Sequence, residues 1–562
     1  MNEEKALGEL KKTLSEFEQK HAKEFQKEKK GEFVNESGIP IKRFYTPCDL
    51  AEKGFDYLKD LGFPGEYPFT RGISPIMYRG EHWQFSKYGG ETTPEASNQL
   101  WKAQIEAGIN EIAIAYDLPS QMGYDPDHPM AEGEAGRVGV SMVSQKDWEV
   151  AFDGIDLSKV SLHTAYNAPA VIHLANHICL AEKRGIPHEE IGGMIQNDIL
   201  KEFIARGCYI FPIKESLRLT GDLICYTARY MPNYRPITVC TGHYPGRGAN
   251  SVQEIAIGLA TAFTYLQEVI DRGVDIDVVA PKIWFHTSSN HSKFFEEIAK
   301  LRALRRIWAR ALKERFKAQK AESMMARWLC SSRGSGLTRE QYLNNITRNT
   351  IACLAAVFVG SQNIDLRSYD EAFGIPTREA SINTLRTQAV IALETDIPNT
   401  VDPLAGSYFV ESLTSEMEER ILEQVEEIDK RGGGMIPAIE SGYIQSLLNE
   451  SAYKWQKAYE RGEIPSVGVN CFRSEEEERP MRIYRADPEV GDRRKRSLQE
   501  FRKKRDNTAV QRALDEIKAV ARLEPKLENN LIPPIIEAVK CYTTTGEICD
   551  ALREIWGESR LP

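Results

Sequence analysis

ITVCTGHYPGRGANSVQEIAIGLATAFTYLQEVIDRG, residues 237–273, is the stretch whose reading decides the fold. ITVCT is a short apolar run of the kind that forms a buried strand, GHYPGRG is rich in turn formers, and SVQEIAIGLATAFTYLQEVIDRG has the length and pattern of a helix. One strand, one polar loop and one helix make a βα unit. Outward from it the same alternation recurs. Candidate strands lie around Trp83 to Tyr88, in IAIAY ending at Tyr116, in VSLHT ending at Thr164 and in GGMI before Gln196. Beyond the opening stretch they continue in KIWFH ending at His286, ARWLCS ending at Ser331 and VFVGSQ ending at Gln362. Helical patterns such as NDILKEFIARG and KFFEEIAKLRALRRIWARALKERF separate several of them. Eight such units predict an α/β fold, a (β/α)8 TIM barrel over residues 66–385. Residues 1–65 read as a charged, helical N-terminal arm, and residues 386–562 as a helical C-terminal extension.

Active sites of such barrels lie at the C-terminal ends of the strands. Gln196, His243, His286 and Gln362 lie at or just after the candidate strand ends and are the first candidates. A formal net charge of -10 argues against a nucleic-acid partner, because phosphate binding needs a basic surface. No run reaches the apolar length of a membrane span and the N-terminus has no apolar signal core, so a cytoplasmic protein is expected. The 10 cysteines form no CxxC pair and no zinc-spaced cluster, which favours reduced residues and no metal site.

Six segments carry a resemblance. They are YPFTRG with PIMYRG (67–80), YDLPSQMGYDPDHPMAEGEAGRVGV (116–140), IQNDILKEFIARGCYIFP (195–212), FFEEIAKLRALRRIWA (294–309), SYDEAFGIPT (368–377) and VDPLAGSYFVE (401–411). In this order, along nearly the whole chain, they are similar to the large subunits of the methylmalonyl-CoA mutase family. The resemblance implies a barrel with substrate along its axis and adenosylcobalamin (coenzyme B12) over its C-terminal face. The implied enzyme is an isomerase: a radical takes hydrogen from the substrate, a group migrates between adjacent carbons, and the hydrogen returns.

Carried over residue by residue, the resemblance implies catalytic roles for Tyr88, Gln196 and His243. It implies substrate contacts for Arg206, Met77, Gly242, Lys282 and Gln362. Tyr116, Ala205, Arg206, Gly334 and Glu371 are implied to face the cofactor. For Tyr88 a core tyrosine, for His243 a turn histidine and for Arg206 a surface helix arginine stay open as alternatives. Arg206 stands where relatives isomerising carboxylate-bearing substrates carry Arg and those handling isobutyryl or 2-hydroxyisobutyryl groups carry Gln. A guanidinium fork pairs bidentately with a carboxylate, so an acidic acyl group is expected. Ala115 stands where an aspartate for a substrate hydroxyl is expected, and a methyl group cannot accept that hydrogen bond.

Departures from the family pattern gather on the coenzyme A contacts. Gln84 and Ser86 replace groups expected to contact it, and Glu81 stands for Arg, Lys282 for Arg, Trp284 for Ser and Glu322 for Lys. Arg235, Lys282 and Arg333 are the cations available to compensate. Gly242 replaces an aromatic side chain and is expected to open space beside the reacting carbons. The expected substrate is therefore an acyl-CoA bulkier than methylmalonyl-CoA. A free or differently conjugated carboxylic acid is the alternative, and an inactive barrel with a regulatory or assembly role is another. None of the 10 histidines has Asp two residues before it, so the family's cobalt-ligating Asp-x-His-x-x-Gly is absent from this chain. The chain ends about where fused relatives begin their linker. A separate small cobalamin-binding subunit that ligates the cobalt, in a hetero-oligomer, is expected.

Overall fold

The computed structural model describes residues 3–28, 32–106, 108–109, 111–474 and 487–559. Ten strand pieces form its framework. They are β1 Gln84–Ser86, β2 Tyr88–Gly89, β3 Glu111–Ile114, β4 Ser161–Thr164, β5 Gly193–Ile195, β6 Tyr234–Arg235, β7 Ile237–Cys240, β8 Ile283–Ser289, β9 Arg327–Ser332 and β10 Asn363–Asp365. All pair in parallel, in the orders β1-β10-β9-β8-β7 and β2-β3-β4-β5-β6.

Two chain segments join these sheets. Only Lys87 separates β1 from β2, and only Pro236, which has no N–H to donate, separates β6 from β7. The segment 84–89 therefore pairs with β10 and then with β3, and the segment 234–240 with β5 and then with β8. This is the pairing order of a (β/α)8 barrel.

Strand alternation sorts the side chains. Ile112, Ile114, Leu162, Ile195, Val239 and Phe285 turn outward into the main core, where Phe285 meets Trp308 edge-on at 5.1 Å. Met194, Trp284 and Leu329 turn inward and form an apolar cluster of their own. The helix Ser251–Asp271, foreseen in the opening stretch, starts with a reciprocal cap in which Gln253 N–H donates to Asn250 Oδ1 at 2.9 Å.

The termini share this core. Helix Tyr408–Gly432 packs on Phe294–Glu314, and helix Ile532–Lys540 on Ala170–Lys183. Arg302, buried on Phe294–Glu314, pairs with Asp402 at 2.6 Å and Glu411 at 2.5 Å, so RALRR and VDPLAGSYFVE meet as an ion cluster. Asp125, in the long loop after β3, accepts from Arg502 at 2.5 Å, Thr544 Oγ1 at 2.5 Å and Gly546 N at 2.9 Å. That carboxylate ties the barrel mouth to two C-terminal helices.

The last strand is a correction. Val357 and Phe358 of VFVGSQ end the helix Asn344–Phe358, and the strand is Asn363–Asp365. A short apolar run fits a buried helix as well as a strand. Gln362 therefore lies before its strand, at the N-terminal end of the barrel, and His286 lies within β8. No helix among the described residues is long and apolar enough to cross a membrane. All ten cysteines are free, and no cluster of metal-binding side chains occurs among the described residues.

Candidate active site

A hydrogen-bonded chain of side chains crosses the C-terminal end of the barrel. Asn167, after β4, donates from Nδ2 to Gln196 Oε1 at 3.1 Å and to Glu202 Oε1 at 2.6 Å. With its oxygen so fixed, Gln196 presents Nε2 to His286 Nδ1 at 3.3 Å, and His286 Nε2 reaches Ser331 Oγ at 2.8 Å. This order assigns a neutral imidazole with its proton on Nε2. Burial, with the charges of Arg367 and Lys201 nearby, holds His286 well below the usual histidine range.

Arg206 ends the single π-turn Glu202–Arg206, and Gly207 follows it in the left-handed conformation, φ 85°. The bulge is how the chain turns the guanidinium toward the mouth while Glu202 stays buried. Arg206 donates to Glu202 Oε1 at 3.2 Å and to Gln121 Oε1 at 2.5 Å. Glu202 also accepts from Lys201 at 2.5 Å and from Cys208 N at 3.0 Å. Burial works against the charge of Arg206, but Glu202 outweighs it and holds the guanidinium above its ordinary range. Its side chain keeps 28% of its surface and so has room for a ligand.

His243 lies in the 3-10 turn Thr241–Arg247, its ring centroid 6.5 Å from that of His286. Its Nδ1 is buried without a partner. Burial lowers its pKa well below the ordinary value, helped by Lys201, His286, Arg206 and Arg367, so the imidazole is neutral. Burial raises the hydroxyl pKa of Tyr88, the first residue of β2, against the opposing charges of Arg206 and Arg367. Arg367 follows β10 and pairs with Asp365 at 3.4 Å. Burial raises Glu371, with Arg367 and Lys87 opposing, and a Cβ on Gly334 would stand 3.3 Å from Glu371 Oε1. Tyr88, Gln196, Arg206, His243, Gly334 and Glu371 thus come together at the mouth. Ala205 precedes Arg206 there, half-buried.

The other sequence candidates have different settings. Tyr116 is buried, its hydroxyl 2.9 Å from His173 Nδ1 and its ring stacked on Tyr166 at 4.3 Å. Lys282 precedes β8 at the opposite end of the barrel. Its ammonium donates to the carbonyls of Met231 at 3.0 Å and Pro232 at 2.8 Å, and burial lowers its pKa to about 8. Gln362, at the same end, accepts from Trp328 N at 2.9 Å, and Met77 packs over Gly72 and Gly360. Arg333 follows β9 at the mouth, 3.4 Å from Glu254 and from Glu297. The three candidate cations therefore form no single phosphate site. A Cβ on Gly242 would lie 3.2 Å from Ser288 Cβ, so its bare face meets β8 and not open space.

Asn167, Glu202 and Arg367 are functional candidates that the sequence reading passed over. Asn167 follows a strand end, the very rule that selected Gln196. Arg367 follows the true last strand by two residues.

The family described as Methylmalonyl-CoA mutase matches residues 34–558. The chain belongs to the methylmalonyl-CoA mutase family. It is an isomerase by that membership. The "2-hydroxyisobutanoyl-CoA mutase large subunit" of Aquincola tertiaricarbonis is 41% identical, over 95% of this chain and 93% of that protein. The "Methylmalonyl-CoA mutase" of Rhizobium meliloti (strain 1021) is 38% identical over 93% of this chain and 72% of that protein. The mitochondrial methylmalonyl-CoA mutase of Homo sapiens is 35% identical over 93% of this chain and 68% of that protein.

Proposed function

We propose that this member of the methylmalonyl-CoA mutase family is the barrel subunit of an adenosylcobalamin-dependent mutase. It moves a group between adjacent carbons of a carboxylate-bearing acid or acyl group, together with a separate cobalamin-binding subunit. The observation that carries this reading is Arg206, a guanidinium held at the mouth beside Tyr88, Gln196 and His243 yet still reachable. A substrate carboxylate paired with it bidentately is fixed in position and orientation. Neutral His243 and Gln196 donate hydrogen bonds toward a substrate carbonyl oxygen, and burial of Gln196 keeps water from the reacting carbons. Ala115 offers no acceptor to a substrate hydroxyl, which separates this chain from the activity named for its Aquincola tertiaricarbonis relative.

The mouth suits the cofactor. Leu118, Met130 and Val138, on the loop after β3, are exposed apolar groups able to cover a broad ring edge, and Gly334 leaves Glu371 uncrowded for a ribose hydroxyl. Adenosylcobalamin bound there supplies the radical that takes the substrate's hydrogen. The "large subunit" in the name of the Aquincola tertiaricarbonis relative supports a partner chain.

The test is assembly of this chain with a small cobalamin-binding subunit and adenosylcobalamin, followed by carbon-13 NMR on carboxylate-bearing acyl-CoA esters and on their free diacids. Isomer formation in deuterated water without deuterium in the product supports the reading, since the migrating hydrogen stays within the enzyme. Solvent deuterium in the product would point to acid–base isomerisation and refute it.

A further inference from the structure

A cavity of about 20 Å³ lies behind the N-terminal end of the barrel, away from the mouth. Arg71 on the segment leading to β1, Arg302 and Arg305 on helix Phe294–Glu314, Gly360 before β10 and Asp402 in the extension line it. One water needs about 10–15 Å³, so the space takes a single body somewhat larger than water. Phosphate, sulfate and organic acids are too large for it. Gly360 lets Met77 and Arg305 close in on the backbone, since a Cβ there would stand 2.6 Å from Met77 Cε and 3.4 Å from Arg305 Nη2.

The polar lining is one-sided. Arg71, Arg302 and Arg305 each bury an Nε that has no partner, and among the described residues no lining side chain buries an unpartnered acceptor. A water has hydrogens of its own to donate, whereas an anion asks only for donors.

The charges are unbalanced in the same sense. Arg302 is taken up by Asp402 at 2.6 Å and Glu411 at 2.5 Å, and Arg71 Nε stands 3.7 Å from that same Asp402. Arg305, 1% exposed, meets no carboxylate. Its guanidinium lies over the Trp328 ring, 4.1 Å from the centroid, and its one hydrogen bond runs from Nη2 to the Gly360 carbonyl at 2.9 Å. Three guanidiniums thus share two carboxylates, Asp402 and Glu411, and one buried positive charge is left over. Burial lowers the pKa of Arg305 to about 9, so that charge persists at neutral pH. An unpaired buried charge is costly, and a contact with an aromatic face offsets only part of it.

We infer that this cavity is a binding site for one small inorganic anion of the halide class, chloride above all, held by the guanidiniums of Arg71, Arg302 and Arg305. Bound there, the ion joins the segment before β1, a barrel helix and the C-terminal extension, so it stabilises the fold and stands apart from the reaction. The inference goes beyond the mutase reading and does not rest on it.

The test is thermal melting of the full chain in chloride, bromide and gluconate salts at matched ionic strength, because general screening does not distinguish the three. A ligand bound only by the folded chain raises its stability, so chloride and bromide should lift the melting temperature by about 1–3 °C over gluconate, which is too large to enter. Arg305→Met, which keeps an apolar stem against Trp328 but no charge, should lose that difference. Should the variant not fold, crystals of the parent chain soaked in bromide decide alone, by an anomalous peak between Arg71 and Arg305. The inference is overturned if the three salts give equal melts, if a folded Arg305→Met keeps the full halide effect, or if the cavity of the soaked crystals holds only water.

Discussion

In the proposed function Arg206 sets the charge of the substrate, and its neighbours argue that a glutamine there would not serve. Glu202 already accepts from Asn167, Lys201 and Cys208, so loss of the guanidinium leaves that carboxylate paired while a bound substrate acid loses its partner. Stranding a buried charge costs about 3–5 kcal/mol, so Arg206→Gln should weaken binding of the acidic substrate a hundredfold or more. A neutral branched analogue should turn over as well or better, and equal losses for both would show that Arg206 serves the fold. The same neighbourhood governs the pH dependence. His243 and His286 are both held well below the usual histidine range by burial, so both stay neutral down through the pH at which a free imidazole protonates. Initial rates should therefore show no inflection near pH 6.5 from either ring, and His243→Ala should lower the rate by about 100-fold or more while His243→Gln, which keeps a donor, loses less. Gly242 calls for a different variant from the one its sequence suggests. Since a Cβ there would press on Ser288, Gly242→Ala should cost about 1–3 kcal/mol of stability and slow substrates of every size alike, as a melt and paired rate measurements would show.

Elements were legible in proportion to how far their own pattern carried them. Helix Ser251–Asp271 could be read because its apolar run is long and turn formers precede it, and seven of the eight candidate strands overlap a real one. The eighth failed because Asn363–Asp365 is three residues long and shows two polar side chains to the barrel interior, whereas the adjacent helix end is apolar. With the strand at Asn363–Asp365, Gln362 lies at one end of the barrel and Arg367 at the other. Glu202 and Lys201 lie inside the helical pattern NDILKEFIARG, and the π-turn that brings Glu202 to Arg206 has no signal in local sequence. Asp125 depends on contacts several hundred residues away and was equally invisible. Burial raises its pKa to about 7 despite the opposing charge of Arg502. A carboxyl raised in the folded state binds its proton more tightly there than in the unfolded chain, so its contribution to stability falls as pH rises from about 4 to 7. Asp125→Asn should remove this loss: the melting temperature of the parent, measured against the variant, should drop between pH 5 and pH 8. A difference that stays constant with pH would mean that Arg502 keeps Asp125 ionised throughout.

At the scale of the whole molecule, the barrel brings the charged set to its mouth, and the C-terminal helices hold that mouth in shape through Asp125 and Arg502. The loop that carries Asp125 also exposes Leu118, Met130 and Val138, apolar groups at the face where the proposed cofactor would lie. No cluster of metal-binding side chains lies among the described residues, and none of the ten histidines follows an Asp at the spacing of the family's cobalt ligand. On the proposed reading this chain offers one wall of a cofactor site. A broad ring held on one face by a few apolar side chains and a glycine-backed carboxylate gains little, because most of its area stays in water. The isolated chain should then bind adenosylcobalamin at least 100-fold more weakly than the chain assembled with a small subunit that supplies the other wall. Equilibrium dialysis with and without that subunit measures the ratio directly. Leu118→Asp with Met130→Asp should weaken cofactor retention in the assembly while leaving the melting temperature of the isolated chain within a few degrees, since both side chains are exposed in it. Tight, stoichiometric cofactor binding by the chain alone would mean that its own mouth encloses the ring, and the two-subunit arrangement would have to be abandoned.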